Sequence, residues 1–169
     1  GMALEPRRIE IDEGPNPELI DMRRRLVVAA LLAAPVVILA MADMAAGGRL
    51  TRAHGALLNW TGLVLSTPVV FGAGWPFFER ARASIVNRSP NMFTLIGLGV
   101  GSAYAYSALA TVAPWLFPDA VHGLVVDTYF DTAVVITTLV LLGQVLELRA
   151  RHQTGSAIRQ LLGFRPQMA

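Results

Sequence analysis

Two side chains with metal-binding chemistry stand at the ends of two separate apolar runs. Met92 carries a thioether, a soft ligand that suits Cu(I), and Glu147 carries a hard carboxylate. A carboxylate inside a membrane segment is a functional candidate by default. Together the two would form an incomplete site that can accept an ion and release it again. The alternatives are a methionine that only packs against its neighbours, and a glutamate paired with Arg151 one turn later.

Two acids, Asp127 and Asp131, lie at the start of the last apolar run. They are four positions apart. On a helix they would lie close together and could receive or release a cation. The alternative is that they are solvated acids at the end of a loop. Asp131 and Glu147 would be about 24 Å apart along a helix and about 160° apart around it. They therefore cannot line one straight path along a regular helix.

Residues 72–76 hold two glycines and a proline, which would let a helix bend. After the bend, apolar and aromatic side chains are interleaved with arginines. This pattern is typical of an amphipathic helix in the membrane interface, with its aromatic side chains inward and its arginines outward. The alternative is an ordinary helix end with an aromatic belt. The residues of the bend and of this arginine platform are Gly72, Ala73, Gly74, Trp75, Arg80, Arg82 and Arg88.

Four apolar runs must position these side chains. The chain has 169 residues, of which 54% are hydrophobic and only 15% charged, and its mean hydropathy is +0.51. An average soluble domain is about a quarter charged, so this composition excludes a soluble domain and a disordered chain. Each run can cross a hydrocarbon layer roughly 30 Å thick as a helix. The runs cover residues 26–42, 55–78, 89–118 and 131–147, the last extended outward by residues 125–130.

The sequence therefore predicts an all-α membrane protein with four transmembrane helices and one interfacial amphipathic helix. Residues 1–21 are expected to form a polar, irregular segment before the four-helix region, which covers residues 22–148. Residues 149–169 are expected to continue the last span as a helical tail outside the membrane. Gly97 and Gly101 form a GxxxG pair in the third span, which favours close helix packing.

The distribution of arginine predicts how the spans are oriented. All 14 basic residues are arginines, and most lie before the first run, between the second and third, or after the fourth. Cytoplasmic segments carry the excess of positive charge, so both termini should face the cytoplasm of a multi-pass cell-membrane protein. The arginines flank apolar runs, as in membrane proteins, and do not indicate a nucleic-acid partner. The absence of cysteine and lysine excludes disulfides, CxxC metal sites and a P-loop within these residues.

Several stretches together resemble the cuprous-ion-pumping P-type ATPases of the heavy-metal (P1B-type) class. They are Asp21-Met22-Arg23-Arg24-Arg25, Gly74-Trp75-Pro76-Phe77-Phe78, Asn91-Met92-Phe93-Thr94-Leu95-Ile96 and, most specifically, residues 136–162. The resemblance covers nearly the whole chain from about residue 21. It implies that the first two spans are the class-specific pair and that the next two are the first core helices. It also implies that residues 1–21 contain the tail of a heavy-metal-binding module and that residues 149–169 lead to an actuator domain.

The same resemblance implies roles for individual residues. Met92 and Glu147 match the family's cytoplasmic uptake site, and Asp131 matches an exit-side acid that is usually glutamate. The family's double-glycine bend falls on residues 73–74, where alanine replaces the first glycine, with Gly72 adjacent. The arginine platform matches the surface that receives copper from a chaperone or an N-terminal metal-binding domain. ATP and Mg²⁺ belong to cytoplasmic domains expected after this chain, together with a Cys-Pro-Cys transport motif.

The function that the resemblance implies is the membrane portion of an ATP-driven exporter of Cu(I), with Ag(I) as a second candidate cargo. A Zn(II) or Cd(II) pump of the same superfamily is an alternative, although the soft Met92 argues against it. Competition binding of Cu(I) against Zn(II) would discriminate between them. A non-enzymatic four-helix membrane protein is the other alternative, which the sequence downstream in the gene would exclude or favour.

Overall fold

The computed structural model describes residues 17–117 and 125–163, with side chains as far as residue 153. Helices dominate these residues, and no strand occurs among them. In chain order the elements are α1 (Pro17–Ala45), α2 (Arg49–Thr67), a π-helical segment (Pro68–Ala73), α3 (Trp75–Val86), α4 (Met92–Val112), a 3₁₀ turn (Pro114–Leu116) and α5 (Phe130–Gly163). The expected tail of a metal-binding module falls mostly in residues 1–16, outside the described residues.

Four stretches are long and apolar enough to cross a membrane, as predicted. They are Pro17–Ala45, Arg49–Ala73, Met92–Val112 and Phe130–Gln153. Only 17–28% of the most apolar window of each stretch is buried within the described residues. The rest of this apolar surface faces outward, for example at Leu31 and Leu98, which are both 70% exposed. An outward apolar surface of this extent suits contact with lipid. The all-α, four-span prediction is therefore confirmed.

The first helix begins earlier than its apolar run. Pro17 occupies the first helical position, where its missing N–H costs nothing. Glu18 follows in the first turn, where its negative charge favours a helix N-terminus. The prediction of irregular structure is therefore wrong for residues 17–21.

The last membrane helix begins later than predicted. Residues 125–129 are not helical, and α5 starts at Phe130. The predicted helical extension is therefore wrong for residues 125–129, and Asp127 and Asp131 do not share a helix. This segment instead packs beside α2. A Cβ atom added at Gly55 would lie 2.6 Å from Val125 Cγ1, so the absence of a side chain there makes room for the segment.

Small residues allow the long helices to pack closely. Ala29 and Ala33 of α1 belong to the same buried cluster as Val134 and Leu141 of α5. Three of these four side chains are completely inaccessible, and Ala33 is 5% exposed. The longest helix is therefore anchored against the first, which places the residues around Glu147 at the same end of the bundle as the start of α1.

Helix α3 packs on α4 at the GxxxG pair, Gly97 and Gly101. A Cβ atom at Gly97 would lie 2.9 Å from Ala81 Cβ, and one at Gly101 would lie 3.7 Å from a ring carbon of Phe78. The buried face of α3 consists of Phe77, Ala81 and Ser84. The GxxxG pair therefore does favour close packing, as predicted, and its partner is the short helix of the platform.

Helices α4 and α5 run antiparallel. Near the end of α4, the Ser107 hydroxyl oxygen accepts a 2.7 Å hydrogen bond from the backbone N–H of Tyr129, just before α5. Near the start of α4, the Phe93 ring lies 5.1 Å from the Arg80 guanidinium, which also donates to Gln144 of α5. The start of α4 and the region of α5 around Gln144 are therefore level with each other.

Candidate metal uptake site and arginine platform

The bend between α2 and α3 is a π-helical segment that ends at Gly74. The Gly74 N–H donates to the Val69 carbonyl oxygen at 2.9 Å, which is the i to i−5 bond of a π-helix. A Cβ atom at Gly74 would lie 2.5 Å from the Val70 carbonyl oxygen, so this position requires glycine. At Gly72 a Cβ atom would meet nothing within 4 Å. Gly74 alone of these two glycines makes the close approach at the bend.

Arg25 of α1 forms a hydrogen bond with the backbone of this bend. In a regular helix the Gly72 carbonyl oxygen would accept a hydrogen bond from the N–H of the residue four positions later, but that residue is Pro76, which has no N–H. The Arg25 guanidinium fills the place, donating from Nη1 to the Gly72 carbonyl oxygen at 2.9 Å. Its Nε also bonds Asp21 at 2.7 Å. The arginines that precede the first apolar run therefore include one that satisfies a backbone group left free by a proline.

The outer face of α3 carries apolar and basic side chains together. Trp75 and Ile85 are 50% and 62% exposed, and the Trp75 indole N–H donates to Glu79 at 2.8 Å. Arg82 and Arg88 are exposed, and within the described part of the chain their side chains make no hydrogen bond or ion pair. Two cations beside exposed apolar side chains suit an acidic partner or lipid headgroups.

Arg80 departs from the predicted arrangement of outward arginines. It turns toward the helix bundle, where its Nη1 donates to the Gln144 side-chain oxygen at 2.7 Å. Its guanidinium carbon lies 5.1 Å from the centre of the Phe93 ring, within the range of a cation–π contact. Its Nη2 is 3.4 Å from a carboxylate oxygen of Glu18. Arg80 thus joins α1, α3, α4 and α5 at one end of the bundle.

The two predicted uptake residues both lie at this end of the bundle. Met92 is the first residue of α4 and is 60% exposed. Glu147 accepts hydrogen bonds from Arg151 at 2.6 Å and from Gln144 at 3.1 Å. The Arg151 pair is the alternative that the sequence left open for Glu147, and it is present here. Within the described part of the chain, no three His, Cys, Asp or Glu residues form a metal-binding group.

A cavity of about 410 Å³ lies at the opposite end of the bundle. Asp131 and Asp127 both line it, so the fold brings them to one space although they are not on one helix. A third acid, Asp43 of α1, also lines it but is engaged by α2. Its carboxylate accepts from the Leu50 and Thr51 N–H groups at 2.9 and 3.0 Å and from the Thr51 hydroxyl. Asp43 therefore anchors the N-terminus of α2.

Sequence reasoning missed three residues of these sites, namely Gln144, Phe93 and Asp43. Gln144 precedes Glu147 by three positions, a helical spacing that could have indicated a contact. Asp43 follows the first apolar run, and no spacing in the sequence indicates that it would contact the start of the next helix. Nothing in the sequence signalled that Phe93 faces a cation on another helix, because that contact depends on how α3 folds back on α4.

The chain is closely similar to several curated ATPases over its full length. It is 57% identical to a copper-transporting P-type ATPase of Rhizobium leguminosarum bv. viciae, of which it covers 20%. It is 50% identical to a copper-exporting P-type ATPase of Legionella pneumophila subsp. pneumophila and covers 23% of it. It is 48% identical to a silver exporting P-type ATPase of Salmonella typhimurium and covers 21% of it. The chain thus spans about a fifth of the length of these relatives. No protein-family model matches it.

Proposed function

We propose that this chain, which belongs to the heavy-metal (P1B-type) P-type ATPases, is the membrane portion of an ATP-driven exporter of Cu(I) that also accepts Ag(I). The observation that carries the proposal is the position of Met92 and Glu147 at one end of two adjacent antiparallel helices, beside the arginine platform. The names of the similar proteins, two for copper and one for silver, support the choice of cargo. ATP and Mg²⁺ would act in the cytoplasmic domains of the whole exporter.

The first step in this proposal is docking of a copper donor on the platform. Arg82 and Arg88 are exposed and available to an acidic chaperone surface or to an N-terminal metal-binding domain. Charge complementarity of this kind raises the rate of encounter and sets the orientation of the partner. The exposed Trp75 and Ile85 add apolar contact beside these cations. This end of the bundle is cytoplasmic in the proposal, because the arginine distribution favours that side.

Transfer to the uptake site follows docking. The Met92 thioether supplies a soft ligand and the Glu147 carboxylate a charge, so the pair binds a soft monovalent cation without enclosing it. Asp131, at the opposite end of α5, is the candidate acid for release, facing the 410 Å³ cavity.

The test is copper-stimulated ATP turnover by the full-length protein in membranes. Met92→Leu and Glu147→Gln each remove one ligand atom at nearly constant volume, so each should lower turnover at limiting Cu(I). Met22→Leu is the matched control. Met22 is a buried methionine near the start of α1, and its substitution should leave the copper dependence unchanged.

Normal copper stimulation in both ligand variants would refute the uptake site. An equal loss in the Met22 control would show that packing, and not ligation, explains the effect at Met92. Repeating the assay with Zn(II) in place of Cu(I) tests the choice of cargo. Stronger stimulation by Zn(II) would favour a divalent-metal pump.

A further inference from the structure

One oxygen of Glu147 is held from inside the bundle. Its Oε2 accepts a hydrogen bond from the Gln144 side-chain nitrogen at 3.1 Å, one helical turn earlier. Gln144 is only 8% exposed, so it is far more buried than the carboxylate it holds. A buried amide has few alternative partners, and its hydrogen bond to a charged group is correspondingly hard to replace.

Arg80 determines which way the Gln144 amide faces. A guanidinium can only donate hydrogen bonds, so the amide oxygen must face Arg80 Nη1, which lies 2.7 Å away. The amide nitrogen is then left to face the Glu147 carboxylate. The reverse orientation would set the amide N–H groups against the guanidinium and the amide oxygen against the carboxylate. The chain Arg80, Gln144, Glu147 therefore has one favourable direction.

Arg80 itself is fixed from the helix that carries the thioether. Its guanidinium lies over the ring of Phe93, whose preceding residue is Met92. The Phe93 ring in turn stacks on Phe77 with a centroid distance of 6.1 Å, and Phe77 is 2% exposed. One cation thus orients the carboxylate on α5 and contacts the helix that begins at Met92.

The other oxygen of Glu147 is held from outside. Its Oε1 pairs with Arg151 at 2.6 Å, and that arginine side chain is 74% exposed. Exposed ion pairs one helical turn apart contribute little to stability, because water competes for both charges. Of the two groups that hold Glu147, Arg151 is therefore the one that an incoming cation can displace.

We propose that Arg80 and Gln144 are positioning residues for Glu147, and that Arg151 is the competitor that an arriving Cu(I) ion displaces from it. This inference rests on the proposed uptake function of Glu147. Gln144 keeps Oε2 turned into the bundle and leaves Oε1 to meet the ion. Arg151 occupies Oε1 in the empty site and keeps the carboxylate paired until a soft cation arrives.

The experiment is the Cu(I) dependence of ATP turnover by the full-length protein in membranes, with Cu(I) buffered by a small chelator. Chelator delivery removes the need for a docked donor, so a docking role of Arg80 cannot contribute. Gln144→Leu removes both hydrogen bonds of the amide and should raise KM for Cu(I) about tenfold with kcat nearly unchanged. Arg151→Gln removes the competitor and should lower KM a few fold. A purely structural role would not move KM in opposite directions at these two positions.

An unchanged KM in Gln144→Leu, or a raised KM in Arg151→Gln, would overturn the inference. If Gln144→Leu does not fold, Arg80→Gln carries the same test, since it removes the donor that orients the amide, and an unchanged KM again refutes the idea. Glu147→Gln separates this inference from the proposed function. A normal copper response in that variant would refute the uptake site itself, whereas an impaired one leaves only the positioning pair at issue.

Discussion

At the scale of single residues, the bend between α2 and α3 depends on the absence of a side chain at Gly74. Gly74 has the Val70 carbonyl oxygen 2.5 Å and a Thr137 methyl 2.9 Å from where a Cβ would stand. A backbone oxygen cannot rotate away as the end of a side chain can, so any side chain at Gly74 must displace the helix itself. Gly72, two positions earlier, faces open space.

The two glycines therefore predict opposite outcomes for the same substitution. Gly74→Ala should lower the free energy of unfolding by about 1–3 kcal/mol, because of overpacking against backbone. Gly72→Ala should be neutral or slightly stabilising, since alanine favours helix. Thermal unfolding of the purified full-length protein in detergent measures both. Equal melting temperatures for the two variants would contradict the assignment of the close approach to Gly74.

At the scale of elements, α3 is a helix held on one face and open on the other. Its inner face packs on α4 through Phe77, Ala81 and Ser84. Its arginines are divided in the same way, because Arg80 bonds inward while Arg82 faces out. The arginine platform thus has one cation bonded into the bundle and two exposed cations, which the sequence pattern does not distinguish.

This division predicts a docking defect that depends on how copper is delivered. Arg82→Glu and Arg88→Glu should each slow transfer from an acidic copper chaperone several fold, because they reverse an exposed charge. Turnover with chelator-buffered Cu(I) should remain normal in both. Arg24→Glu, an exposed arginine of α1, is the matched control. A defect of similar size with both copper sources would show that these arginines act on folding or on the uptake site.

At the scale of the whole molecule, the two ends of the bundle carry different chemistry. One end holds Met92, Glu147 and the arginine platform, and the other holds the cavity lined by Asp43, Asp127 and Asp131. The spans that join them present apolar side chains outward, as a lipid-exposed bundle requires. This difference between the two ends agrees with the proposed route of an ion from one side of a membrane to the other.

A topology measurement can determine which end of the bundle faces the cytoplasm. A fluorescent protein inserted after Asn87, between α3 and α4, should fold and fluoresce because that loop is expected in the cytoplasm. Alkaline phosphatase fused after Gly48, between α1 and α2, should be active because that turn is expected outside. The reverse pair of results would place the uptake site on the wrong side for export from the cytoplasm.

Much of this architecture follows from sequence alone, because apolar runs of sufficient length must become helices in lipid and because arginines gather on one side. The four spans were predicted on that basis, the separate platform helix from its interleaved aromatic residues and arginines, and close packing at the GxxxG pair from its small residues. The first residues of α1 and α5 were not predicted correctly. Pro17 and Glu18 start a helix within polar sequence, whereas residues 125–129 are not helical and pack against α2. The pattern of apolar residues indicates neither the helix start at Pro17 nor the packing of residues 125–129 against α2.

The connections between elements were decided only by the tertiary structure. Residue types and spacing were enough to select Met92, Glu147 and Asp131 as candidates, since few side chains carry metal-binding chemistry in an apolar chain. They could not show that Arg80 turns inward to Gln144, because a guanidinium reaches partners on three other helices and only their packing selects among them. The metal-binding chemistry of a residue is a property of its side chain and can be identified from the sequence. Its orientation depends on neighbours far away in the chain, and these are brought together only by the fold.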